Sequence, residues 1–357
     1  MRIGYVPYSD SLLHPGDRRR LGMWAEARGI ELELLNPLNS DVLVLSNAAN
    51  FGYWIKRATQ PIVLDLVDGY LGEKPAFLFD LARNFLRSTR GASSVHWITY
   101  TRHLKAACQS SDLVIVASEE QASFIKQYNQ NVRVILDDHS ELIMSKCVRP
   151  ANSNLQSSFF TNPFILWEGF GYTLKHFQFM ANELDEFLFK SNWQMCLVTA
   201  RKYHRWGGFL GKIQADDYIR QLLPKSHHRV RIVDWSLEAL ISYGANAEVA
   251  IIPITPSDKF ANLKSENKLL SMWRLGLRTL ASDTPAYRRV MDLAGQDTDI
   301  VSKSSWSEAL TRLLSDSEEN LQSALRREKY LAETHSQSIL ISKWDLALRE
   351  TLTQLKI

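Results

Sequence analysis

Taken by its apolar positions, the chain resolves into short runs of Val, Ile and Leu spaced by helix-length stretches. "MRIGYVPY" opens as a strand, a loop with His14, Pro15 and Gly16 follows, and "RRRLGMWAEARGI" has helical spacing ahead of the strand "ELELL". "DVLVLS", "PIVLDLVD", "LVIVAS" and "VRVIL" come next. These runs are apolar on both faces, as a parallel sheet covered by helices requires. Residues 1–152 are therefore expected to form a doubly wound α/β domain.

Around "RPANSNLQSSFFTNP", residues 149 to 163, the pattern lapses into Ser, Asn and Pro, which is linker chemistry. It then restarts: "FILWEG", "MCLVTA", "VRIVDW", "VAIIPI" and "LRTLAS" predict a second domain of the same kind over residues 160–335. The tail from about Ser317 reads as helical, with a last helix at 336–357 expected to pack back on the first domain. One stretch is unusual. In "LKSENKLLSMWRLGLRTLASDTPAY", the polar residues Lys264, Ser265, Glu266, Asn267 and Lys268 precede a helix over 265–275 whose buried face is Leu269, Leu270, Met272, Trp273 and Leu275. Gly276 can end it with a left-handed cap, and the strand Leu277 to Ala281 follows.

Composition narrows the class. With 357 residues, 45% hydrophobic and 23% charged, the chain can bury two ordinary cores, which excludes a disordered protein. A net charge of +3 permits an anionic ligand or membrane surface but not a nucleic-acid coat. Cys108, Cys147 and Cys196 are odd in number and far apart, so a reducing cytoplasm is expected and no disulfide framework. No signal peptide or membrane-spanning run is read, and the pair His227 and His228 lacks companions at metal spacing, so no structural metal is expected.

Candidate chemistry gathers in few places. The polar helix start at 265–268 is an anion site by its backbone N–H groups and dipole, or else a simple cap with a solvated lysine. Arg201, Lys202, His204 and Arg205 follow a strand, where they form either a ligand cluster or a solvated basic loop. Asp68, after "IVLDLV", is the first choice for a carboxylate handling a hydroxyl proton; Asp137, Asp138, His139 and Glu141 form a second polar cluster. His14 and Gly16 suit close backbone approach to a ligand better than chemistry. In "AFLFDLARNFLRSTRG", residues 76 to 91, Phe77, Leu78, Leu81 and Phe85 share a side with Arg83, Arg87 and Arg90 nearby. Core packing with a solvated face is the preferred reading there, docking on an anionic bilayer the alternative.

The ordered set "HPGDRRRLGMWAEARGIELELL", "DLVIVASEEQASFIKQY", "FILWEGFGYTLKHF", "VDWSLEALISYGANAEVAIIPI" and "SENKLLSMWRLGLRTLASDTPAYRRV" resembles the nucleotide-sugar glycosyltransferases of the GT-B fold, in particular the family-4-like retaining enzymes. The resemblance spans nearly the whole chain. It implies two Rossmann-like domains facing across a cleft, with an acceptor in the first and a nucleoside diphosphate sugar in the second, and no further cofactor. It places Gly171 and Lys175 in a phosphate-binding loop and Trp235 beside the nucleobase, a buried structural tryptophan being the alternative. Arg201 and the set Ser265, Glu266, Asn267 and Lys268 complete the expected donor site, with Gly16 from the first domain. The sequence departs from the family in three places: Phe170 stands where an arginine is usual, and Leu263 and Ser271 where two glutamates are. The expected function is metal-independent sugar transfer to a hydroxyl of a glycan, by a cytoplasmic protein with peripheral membrane association as an option. A sugar-nucleotide epimerase, a phosphorylase of the same fold, or a non-catalytic glycan-assembly subunit are the alternatives. No nucleic-acid partner is expected, and the oligomeric state is left open.

Overall fold

The computed structural model describes residues 1–69, 71, 77–88, 98–145, 162–204, 211–302, 305–315 and 317–353. Most of the stretch read as a linker, together with Cys147, Arg90 and Arg205, lies outside the described residues. Contacts divide the chain into two units. Unit 1 is Met1–Asp138 with Leu263–Asn267 and Thr334–Ile357, and unit 2 is His139–Asn262 with Lys268–Glu333.

Among its described residues unit 1 holds six strands: β1 (Ile3–Val6), β2 (Leu32–Glu33), β3 (Val42–Ser46), β4 (Ile62–Leu66), β5 (Leu113–Val116) and β6 (Val132–Val134). All are parallel, in the order β2-β1-β3-β4-β5-β6. Every residue of β3, β4 and β5 is buried, which is why these runs had to be apolar on both faces. One face packs Leu43, Leu45, Leu64, Val114 and Val116 against Leu104, Ala107, Cys108 and Ile125. The last helix, Gln337–Thr353, belongs to this unit: Asp345 accepts from Trp24 Nε1 at 2.9 Å and from Arg28 Nε at 3.1 Å.

Unit 2 repeats the plan with β7 (Phe164–Glu168), β8 (Gln194–Val198), β11 (Val230–Val233), β12 (Val249–Ile252), β13 (Arg278–Ser282) and β14 (Ile300–Val301), ordered β11-β8-β7-β12-β13-β14 and all parallel. Counted from β7, this is the 3-2-1-4-5-6 order of dinucleotide-binding folds. Its core joins Ile165, Trp167, Leu197, Ile251 and Leu280 to Phe177, Leu184, Leu188 and Leu310.

Three local readings change. After β8, where the sequence leaves a ligand cluster and a solvated basic loop open, stands a small antiparallel hairpin, β9 (Lys202–His204) with β10 (Lys212–Gln214), whose strands are too short and polar to announce themselves. The helix expected over 265–275 spans Asn267–Arg274. Its end is as the sequence suggests: Gly276 takes φ 83°, Leu277 N–H donates to Met272 O at 3.0 Å and Gly276 N–H to Trp273 O at 2.9 Å, a Schellman cap. Third, the Phe77–Ser88 helix does not bury its apolar side, since Phe77, Leu78 and Phe85 are exposed. Core packing was the wrong choice there because Asp80 and Asn84, its polar side, have partners on the neighbouring helix that claim the interior.

Candidate functional site

In a doubly wound sheet, ligands sit beyond the carboxyl ends of the strands, where the strand order reverses. In unit 2 that point lies between β7 and β12, since the chain runs from β7 to β8 and β11 on one side and then returns to β12 on the other. The loops leaving these two strands are tied together. Lys175 Nζ donates to Asp258 Oδ2 at 2.8 Å, and Thr255 N–H donates to His176 Nδ1 at 3.2 Å. Burial would raise the Asp258 pKa, but the Lys175 hydrogen bond and the Ala261 N–H outweigh it and hold the carboxyl below the usual value. Lys175 itself is exposed, on the 3-10 helix Gly171–Met180.

Lys268 marks the same edge. Its Nζ donates to the Glu168 carbonyl, at the end of β7, at 2.7 Å, and lies 5.3 Å from the centroid of the Trp167 ring. It is half-buried, so the alternative of a solvated lysine beside a cap does not describe it. Gly169 is what admits it: a Cβ there would lie 2.7 Å from Trp167 Cζ2 and 2.9 Å from Lys268 Nζ. Gly171 is equally pressed, with the Tyr203 ring 2.3 Å from any added Cβ. Both glycines let loop backbone run close to side chains.

Trp235 follows β11 and is 40% exposed, which rules out the buried structural tryptophan. Its Nε1 donates to Glu168 Oε1 at 3.1 Å, fixing the ring at the sheet edge with a free apolar surface. Arg201, after β8, donates through a terminal nitrogen to Ile232 O at 2.7 Å and pairs with Asp234 at 3.4 Å. His139 belongs to this unit too: it is buried, and its Nδ1 lies 3.1 Å from Ser271 Oγ. Ser271 is one of the positions where the resembled family has a glutamate.

Unit 1 reverses between β1 and β3. The loop after β1 is held by Asp17, whose carboxylate accepts from Tyr5 Oη at 2.7 Å, Tyr8 N–H at 2.8 Å and Ser9 N–H at 3.1 Å. His14 Nδ1 accepts from Gly16 N–H at 3.0 Å and stacks on Tyr8, ring centroids 4.6 Å apart. Gly16 sits against that same Tyr8 ring, 2.6 Å from where a Cβ would be. Below the loop lies a fully buried guanidinium. Arg20 forks onto Asp65 through Nε at 2.9 Å and a terminal nitrogen at 2.5 Å, and reaches Ile135 O at 2.7 Å and Asp137 at 3.0 Å. Burial works against this charge, yet Asp65 and Asp137 more than offset it and raise the Arg20 pKa above its ordinary value.

Asp68 stands just past β4, 3.9 Å from Lys264 Nζ. Leu263 packs on Gly69, and Asp137 N–H donates to Asn267 Oδ1 at 3.3 Å. Asp138 is buried and accepts from Gln337 Nε2 at 3.1 Å. Of the residues singled out in sequence, then, Gly16, Asp68, Asp138, Ser265, Glu266 and Asn267 fall in unit 1, and His139, Gly171, Lys175, Arg201, Trp235 and Lys268 in unit 2. Glu266 is buried and Ser265 half-buried. Sequence reasoning missed Arg20, Asp65, Glu168 and Thr255. Asp65 left a signal: a lone acid inside "IVLDL" demands a partner. Arg20 left none, being one of three consecutive arginines.

No protein-family model matches the chain, and no curated protein matches it. Solved structures do. HepE of Anabaena, in complex with UDP and glucose, is 12% identical with TM-score 0.65, covering 98% of this chain and 100% of its own. A UDP-forming α,α-trehalose-phosphate synthase from Burkholderia xenovorans is 11% identical with TM-score 0.55, covering 87% of this chain and 74% of its own. TarM is 9% identical with TM-score 0.55 over 86% of this chain, which spans 54% of TarM. The fold is GT-B.

Proposed function

We propose that this chain is a glycosyltransferase that moves a sugar from a nucleoside diphosphate sugar to a hydroxyl of a glycan. The observation that carries the reading is the Lys268 ammonium, half-buried at the carboxyl edge of β7 beside Gly169 and Trp167. Support also comes from the fold, which is shared with a protein solved in complex with UDP and glucose.

In this reading the donor binds unit 2. The diphosphate takes charge from Lys268, from Lys175 on the Asp258 tether, from Arg201, and from the amino end of the Asn267–Arg274 helix that Ser265 and Glu266 precede. Trp235 offers a flat face to the base, and the tight turn at Gly171 brings loop backbone to the phosphates. Gly16 in unit 1 gives loop backbone a matching close approach to the donor. Transfer breaks the bond from the anomeric carbon to the phosphate oxygen, whose electron pair leaves with the nucleoside diphosphate. The acceptor oxygen forms the new bond and its proton passes to Asp68, with Asp138 or His139 as the other groups for that role. These cations stabilise the leaving group in place of a metal ion. The place of action is the cytoplasmic side of a membrane that holds the growing glycan.

A second reading is a non-catalytic assembly subunit. Ser271, at one of the two glutamate positions of the resembled family, is spent on His139, and Leu263, at the other, on Gly69. One experiment separates the two. Replacement Lys268→Ala is expected to lower acceptor-dependent release of nucleoside diphosphate by about a hundredfold, the scale of losing one preorganised electrostatic contact, with the thermal melt unchanged in shape. Equal release by both proteins removes Lys268 from the reaction, and no release by native protein over a panel of donors favours the subunit.

A further inference from the structure

We propose that the Phe77–Ser88 helix of unit 1 is a docking element for an anionic lipid bilayer. It is mounted inside out. At about 100° per residue, Leu78, Phe79 and Phe85 lie on the side opposite Asp80 and Asn84. A helix on a globular domain turns its apolar face inward. Here Asp80 and Asn84 are buried, while Phe77 is 68% exposed, Leu78 76%, and Phe79 and Phe85 45% each. Hydrogen bonds hold this orientation. Asp80 accepts from Thr101 N–H at 3.0 Å, and Asn84 Oδ1 meets His103 Nδ1 at 2.9 Å, both on the adjacent Tyr100–Ser110 helix. Rolling the helix to bury its phenylalanines would strand those polar groups, so the apolar face is kept outward at a cost that calls for a partner.

Charge identifies the partner. Among their described side chains the two helices carry Arg83, Arg102 and Lys105 against a single carboxylate, Asp80, which is buried and already engaged. The Arg83 guanidinium carbon lies 4.9 Å from the Phe79 ring centroid, so cation and ring share the margin of the apolar face. Aromatic and aliphatic side chains projecting from a helix with a cation at their margin enter the headgroup boundary of a bilayer, the guanidinium meeting anionic phosphates. A second copy of the chain fits poorly, because a two-fold contact would set these cations against themselves. The inference shares only its membrane location with the transferase reading and needs none of that chemistry.

Sedimentation of the full chain with sucrose-loaded vesicles tests it without donor or acceptor. Vesicles of phosphatidylcholine with phosphatidylglycerol are expected to carry the protein down, phosphatidylcholine alone to leave it in solution, and added salt to weaken binding. The double replacement Leu78→Ser and Phe85→Ser should lower the vesicle partition coefficient by about tenfold or more, with an unchanged melt, because both positions are exposed. Phe77→Ser is the milder check should the pair disturb folding. Native protein that ignores the anionic vesicles, or a serine variant that binds them as well as native, overturns the proposal. So does a dimer in light scattering that the serine variant returns to monomer, which would give the face to a second copy.

Discussion

His14 caps the short Pro15–Arg18 helix with a ring nitrogen that must be unprotonated to accept from Gly16 N–H. Burial pushes its pKa below 6.5, against the opposing pull of Asp17, Asp137 and Asp68. The sign follows. On acidification the unfolded chain takes up this proton before the folded one does, so the contribution is complete above pH 6.5 and is lost as pH falls through the lowered folded value. His14→Asn keeps an acceptor that does not titrate. Melting temperatures measured on either side of pH 6.5 should therefore fall less in the variant than in native protein, and an equal fall would clear His14 of the effect. Single residues were unevenly legible. Lys268 stood out because polar residues in a row ahead of an apolar helix exceed what a cap needs. Its contacts with Glu168 and Trp167 were hidden, since they join positions about a hundred residues apart that no local spacing relates.

Among the elements, β7 and the turn after it matter most to the proposed chemistry. Gly169→Ala would press a methyl on Trp167, which the core holds fast, and on Lys268, whose tip can yield. The expected cost is about 1–3 kcal/mol, as for overpacking a filled site, read from thermal melts. The same change made in a Lys268→Ala background should cost less, because one of the obstructing groups is gone; strict additivity would show that the two do not share that space. Elements whose pattern was set by burial were readable in advance: β3, β4 and β5 are buried throughout and were written in Val, Ile and Leu. Those set chiefly by pairing, with Tyr203 packed on the core, were not. β9 and β10 are held by backbone bonds between "KYH" and "KIQ", and nothing in those triplets is apolar enough to notice. The Phe77–Ser88 helix was recognised as amphipathic but mounted the wrong way round, because amphipathicity fixes a face without saying which side owns the interior.

Across the whole molecule, two parallel sheets with their reversal points at β1/β3 and β7/β12 account for where the polar clusters fall. The fold is shared at 9–12% identity with the three solved structures compared, so what persists is the alternation of strand and helix. A shared fold carries many chemistries, so Lys268, Lys175 and Trp235 bear more of the proposed function than the fold does. The central claim is that unit 2 binds a nucleoside diphosphate through Lys268, and titration calorimetry measures it most directly. Uridine, guanosine, adenosine and cytidine diphosphates should be titrated in turn into native protein and into the Lys268→Ala variant. One of them is expected to bind native protein and to bind the variant at least about tenfold more weakly, the scale of a charge-assisted contact. Heat of binding absent for all four, or the same for both proteins, would contradict the account.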